Sequence, residues 1–123
     1  MRLLDSSVVV ARSNERDSLH SKSLEIDFSN CAINELVFSE SANVISRSSK
    51  DYSKARFVIE SVYKNTPIEF LCSEDLAEAM RLFSKYLSRL SFTDCALIAQ
   101  SKRLGAQIIS FDEDLVNIAK YVK

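Results

Sequence analysis

Short strand-like runs at residues 2–4, 31–33, 68–72 and 107–111 alternate with longer stretches in which apolar residues recur at helical spacing. Runs this short suit buried strands, while i, i+4 and i, i+7 spacing over longer windows marks amphipathic helices. A strand, a helix and another strand in succession favour parallel pairing, because the crossover returns the chain to the same end of the sheet. The pattern predicts an α/β sandwich with a mostly parallel central sheet. No repeat, linker or low-complexity tract interrupts it, and 123 residues suit a single domain over residues 1–123.

Local signals set the expected boundaries. Ser6 or Ser7 can cap a short helix over Val8, Val9 and Val10, although the valines could equally continue the first strand. A polar segment follows at residues 13–30, with a small helix expected near residues 21–26. Asn34 should cap a helix to about residue 48, in which Leu36, Val37, Val44 and Ile45 form a stripe that also contains Glu40. Glu35 falls in the first turn of that helix, where its dipole favours a carboxylate.

A second long helix is expected at residues 52–63, with Phe57, Val58 and Ile59 near its core face and the only proline, Pro67, in the turn beyond it. Ser73 should cap a helix to about residue 87, with a core stripe of Leu76, Ala79, Met80, Phe83 and Leu87. Thr93 should cap residues 94–104, Gly105 should end that helix in the left-handed conformation, and a closing helix should cover residues 112–121.

Composition narrows the function classes. With 27% charged residues and a net charge of -1, the chain is neither disordered nor strongly basic. Nucleic-acid binding would need a local Lys/Arg patch or a metal. Three cysteines, Cys31, Cys72 and Cys95, have no zinc or redox spacing and read as reduced, buried thiols in a cytoplasmic protein. The opening MRLLDSSVVVARS is a poor signal peptide, and no stretch approaches the roughly 18 apolar residues of a membrane span.

Asp5, Glu40, Asp94 and Asp112, with Asp114 beside the last, each lie at the edge or in the middle of an apolar segment. In open parallel sheets, ligands bind beyond the carboxyl ends of the strands. Asp5 follows the first strand and Asp112 the last, so the acids could converge on one edge and repel one another unless protons or a cation intervene. Hard oxygen donors without a usable histidine suit Mg²⁺ or Mn²⁺. Each acid also has an ordinary local role, as helix cap, first-turn charge or turn residue, except Glu40, whose place on an apolar stripe requires a partner.

LLDSSVVVA at the start, VFSESANVIS in the first long helix, LSFTDCALIAQSKRLGA further on and IISFDEDL near the end resemble the PIN domain, especially the VapC-like toxins of type II toxin-antitoxin systems. The resemblance implies a three-layer α/β/α sandwich with a central sheet of four to five strands. It also implies hydrolysis of RNA phosphodiesters with Mg²⁺ or Mn²⁺ held by Asp5, Glu40, Asp94 and Asp112, with Asp114 as an auxiliary ligand. Ser7 and Ser110 match hydroxyl positions that would orient a carboxylate or a water. A small antitoxin, a homodimer and a cytoplasmic location complete what it implies. Leu115 stands where the family usually has Phe.

Arg12, Arg16, Arg47, Lys50, Lys102 and Arg103 could supply phosphate contacts, although scattered surface charges are usually solvated. His20, the only histidine, lies in a polar stretch and is expected at the solvated surface, which leaves histidine-dependent hydrolysis little support. The competing expectation is a catalytically inactive PIN-like scaffold that holds a protein partner. A haloacid-dehalogenase-type phosphatase lacks support because Asp5 is followed by Ser6 and Ser7 instead of the required Asp-x-Asp, and the clustered early acids of a receiver domain are missing.

Overall fold

A computed structural model of the chain describes residues 1–122. In chain order the elements are β1 (Arg2–Leu4), α1 (Ser6–Ser13), α2 (His20–Ser23), β2 (Cys31–Ala32), α3 (Glu35–Ser48), α4 (Tyr52–Asn65), α5 (Ser73–Lys85), α6 (Phe92–Leu104), β3 (Gln107–Ile109) and α7 (Glu113–Tyr121). Among the described residues the strands form one parallel sheet in the order β2-β1-β3. Arg2 pairs with Cys31 on one side and Gln107 on the other. The valines that suited either state are helical, because Asp5 turns the chain and caps α1 with its backbone carbonyl, which accepts from Val8 and Val9.

The strand expected at residues 68–72 contracts to a single parallel bridge between Ile33 and Ile68. Side chains take the place of a ladder beyond it: Gln100 Nε2 donates to the Glu69 carbonyl at 2.8 Å, and Glu35 Oε1 accepts from the Leu71 N–H at 2.9 Å. Backbone groups satisfied in this way need no neighbouring strand. Glu35 therefore does more than complement a helix dipole.

The core lies between the sheet and α1, α3, α5, α6 and α7, with Leu3, Leu4, Val8, Ile33, Val37, Leu97 and Leu115 fully buried in one cluster. Leu115 fills its place without an aromatic ring. α6 is buried along Cys95 to Gln100, and Gln100 also accepts from Asn34 Nδ2 at 3.2 Å, so a buried amide pair joins α6 to the start of α3. Asn34 caps α3 through the Val37 N–H and Gly105 ends α6 at φ 64°, both as expected. Among the described residues no helix is long and apolar enough to cross a membrane.

Several apolar faces point elsewhere than their spacing predicts. On α5, Ala79 and Phe83 face the core as expected, but Leu76, Met80 and Leu87 near its end are 43%, 55% and 63% exposed, while Leu82 and Asp75 turn inward. An ion pair goes with that rotation: Asp75, 2% exposed, receives two 2.8 Å hydrogen bonds from Arg103 of α6, on the same face of α5 as Ala79 and Leu82. On α4 only Ala55 is buried, and Phe57 is 72% exposed. On α3 the core face is Val37, Ser41 and Ile45, and Glu40 lies beside that face with Leu36 and Val44.

Two caps also sit earlier than expected. Ser91, not Thr93, caps α6, and α5 starts after Cys72, whose N–H donates to Asp75 at 3.0 Å. His20 is half-buried, and its Nδ1 lies 2.8 Å from the Ala11 carbonyl, so it ties α2 to α1 instead of facing water. The cysteines are unpaired, and burial together with the neighbouring Asp94 pushes the Cys95 thiol up to about 11.

Candidate active site

The central strand β1 leads to β2 on one side and pairs with β3 on the other, so its carboxyl end lies where the chain direction across the sheet diverges. Such a divergence opens a crevice in parallel α/β sheets. Asp5 stands there, 4% exposed, with its N–H donating to the Ile109 carbonyl at the end of β3. Ser7 and Ser110 donate to Asp5 Oδ2 at 2.8 and 2.7 Å. Ser7 Oγ in turn accepts from the Phe111 N–H, and Ser110 Oγ from the Asp112 N–H at 2.9 Å. The two hydroxyls fasten the chain after β3 to the carboxylate after β1.

Glu40 is brought in from α3 by a residue that spacing did not single out. Ser6, the first residue of α1, donates to Glu40 Oε1 at 2.5 Å, next to Asp5 in the chain. The only available signal was Ser6 following the strand-end acid, which suggests a cap before it suggests a bridge.

Asp94 occupies the third position of α6, where its Oδ2 accepts from the Ser91 N–H at 3.0 Å and the Ser91 hydroxyl accepts from its own N–H. Burial, then the charges of Asp5 and Asp112, push the Asp94 carboxyl above its ordinary value against the pull of the Ser91 hydrogen bonds. Asp94 is therefore within electrostatic reach of both Asp5 and Asp112. Asp112 caps α7, its Oδ1 accepting from the Asp114 and Leu115 N–H groups at 3.0 and 3.3 Å.

A common pattern emerges. Each of the four carboxylates has one oxygen engaged by the protein, namely Asp5 Oδ2, Glu40 Oε1, Asp94 Oδ2 and Asp112 Oδ1. The other oxygen of each accepts no hydrogen bond among the described residues. Four oriented hard donors of like charge are a chemically suitable set for Mg²⁺ or Mn²⁺. Among the described residues no three acids, histidines or cysteines are gathered closely enough to enclose an ion on their own. Asp114 likewise keeps one oxygen without a hydrogen bond, but its Oδ1 is held by a cation, Arg89, in a 3.1 Å ion pair.

A shallow cleft of about 270 Å³ borders Glu40 between α3 and the start of α6, lined by Leu36, Asn43, Val44, Arg47 and Thr93 among others. Of the basic residues considered as phosphate contacts, Arg12 is committed to the Ser23 and Ile26 carbonyls and the Phe28 ring. Arg103 pairs with Asp75 and Lys102 with Glu78. Arg16 and Lys50 line a separate groove of about 550 Å³ between α1, α3 and α4.

The family model of the PIN domain matches residues 2–121. The chain belongs to the PIN domain family. Its fold is shared with VapC20 from Mycobacterium tuberculosis, a sarcin-ricin loop cleaving toxin, at a TM-score of 0.83 and 17% identity over 96% of this chain and 95% of that one. PAE2754 from Pyrobaculum aerophilum follows at a TM-score of 0.71 and 19% identity, with 94% and 82% covered. VapBC2 from Rickettsia felis, solved with a DNA fragment from its promoter, gives 0.68 at 15% identity, with 89% and 85% covered. No curated protein matches the chain in sequence. At these identities the likeness to solved structures concerns the fold of this PIN domain.

Proposed function

We propose that this PIN domain is a metal-dependent endoribonuclease, the toxin of a VapBC-type pair, acting in the cytoplasm. The observation that carries the reading is the shared arrangement of Asp5, Glu40, Asp94 and Asp112, each with one oxygen held and one free. Family membership and the toxin among its structural neighbours support it.

In this reading the four acids hold Mg²⁺ or Mn²⁺. When bound, the cation would lower the pKa of a water and offset charge on the phosphate. Ser7 and Ser110 fix the direction of the Asp5 carboxylate, Ser6 that of Glu40 and the Ser91 N–H that of Asp94. No side chain acts as a covalent nucleophile, and His20, held against Ala11, takes no part. Asp114 is assigned to its ion pair with Arg89 instead of to the cation. An antitoxin partner and a homodimer belong to the same reading.

The test is cleavage of RNA by the wild type, Asp5→Asn and Asp94→Asn, with folding checked by circular dichroism. Loss of cleavage in both variants is expected, and equal cleavage by all three proteins overturns the reading. The exposed Phe57, Phe70 and Met80, 72%, 65% and 55% exposed, favour a second reading as a protein-binding scaffold. Thermal unfolding with and without Mn²⁺ separates the two, because a ligand of the native state raises stability by mass action.

A further inference from the structure

Arg47 stands apart from the other basic residues near the site. It lies seven positions beyond Glu40 on α3, hence on the same face about 10 Å along the axis, and both line the cleft that also holds Asn43 and Thr93. It is exposed, and no carboxylate lies within ion-pair distance of it among the described residues. The remaining basic residues considered are engaged within the fold or line the other groove. A free guanidinium sharing a cavity with a site carboxylate is an unsatisfied fork for a phosphate.

We propose that Arg47 is a positioning residue that grips a backbone phosphate of a single-stranded RNA, displaced along the strand from the bond at the carboxylates. The inference rests on the ribonuclease reading and adds to it the path of the strand, along α3 from Glu40 towards its C-terminus. The offset follows from the geometry, since Arg47 lies about 10 Å along the helix axis from Glu40. Asn43 lies between the two and offers an amide to the same strand. A contact to phosphate orients the chain without reading its bases.

The test uses a fluorescein-labelled oligouridylate and the Asp5→Asn protein in Mg²⁺, so that binding is measured without turnover. Adding Arg47→Ala should weaken binding about tenfold and reduce the slope of log affinity against log salt by about one, with Arg47→Lys restoring part of the loss. A single methylphosphonate linkage walked along the probe should weaken binding at one position and lose that effect in Arg47→Ala. In otherwise wild-type protein, Arg47→Ala should raise KM with little change in kcat. Equal affinity and equal salt slope with and without Arg47, or no binding of the probe by the parent protein, overturns the proposal. If Arg47→Ala leaves binding and KM unaltered while Asp5→Asn abolishes cleavage, only the Arg47 assignment falls. If the wild type cleaves no RNA but binding depends on Arg47, the nuclease reading falls and the strand path stands.

Discussion

Ser110 donates a 2.7 Å hydrogen bond to Asp5 Oδ2, joining the ends of β3 and β1 across 105 positions of sequence. With Ser7 on the same oxygen, it leaves Oδ1 as the Asp5 atom available to a ligand. Partners that orient metal ligands typically contribute 10- to 100-fold in affinity or activity. Ser110→Ala should therefore lower RNA cleavage by roughly that factor while the protein stays folded. Ser7→Ala should act in the same direction, and undiminished cleavage by the double variant would refute the orienting role.

Asp94 should cost the metal-free protein stability. Its carboxyl is raised above the ordinary 3.8 by burial and by Asp5 and Asp112. A raised acid contributes stability below the unfolded value and loses it as pH rises through the folded value, so the ionised form at neutral pH is the strained one. Asp94→Asn keeps an acceptor for the Ser91 N–H and should raise Tm in EDTA by about 2–4 °C near pH 7. The same variant should lose the Mn²⁺-induced rise in Tm, and a lower Tm in EDTA contradicts the argument.

Asp75 and Arg103 predict acid sensitivity of the opposite sign. Burial, the largest influence, pushes the Asp75 carboxyl up, but the Arg103 hydrogen bonds and the Cys72 N–H outweigh it and hold the carboxyl below 3.8. Stability from this pair is complete above 3.8 and is lost as pH falls through the lowered value. Asp75→Asn should unfold more readily at neutral pH and show a flatter dependence of Tm on pH below that point. Parallel curves for the two proteins would show that the pair does not control acid unfolding.

Asp112 and Asp114 should separate on titration with Mn²⁺. Asp112 Oδ1 is held by backbone N–H groups that leave its charge uncompensated, while Asp114 Oδ1 faces the Arg89 cation. Asp112→Asn should weaken Mn²⁺ binding at least about tenfold, and Asp114→Asn by no more than about twofold, by calorimetry. Arg89 and Asp114 have side chains 52% and 55% exposed, so Arg89→Ala should leave Tm nearly unchanged. Equal losses of affinity in the two aspartate variants would return Asp114 to the metal set.

The α/β class, the cap at Asn34, the stop at Gly105 and the family resemblance were legible in the sequence, because spacing, capping and φ preference are local properties. The four acids could be named for the same reason, each sitting at a strand end or in a helix whose position the pattern defines. The tertiary structure alone decided how they are held: Ser6 on Glu40, and Ser7 and Ser110 on Asp5, depend on which helix lands beside which strand end. It also decided how residues 68–72 are held, with Ile68 paired in parallel to Ile33 and the backbone beyond it partnered by Glu35 and Gln100. The partial turn of α5 away from its apolar stripe was equally hidden, since the buried Asp75 carboxylate meets Arg103 of α6 and spacing cannot announce a partner on another helix.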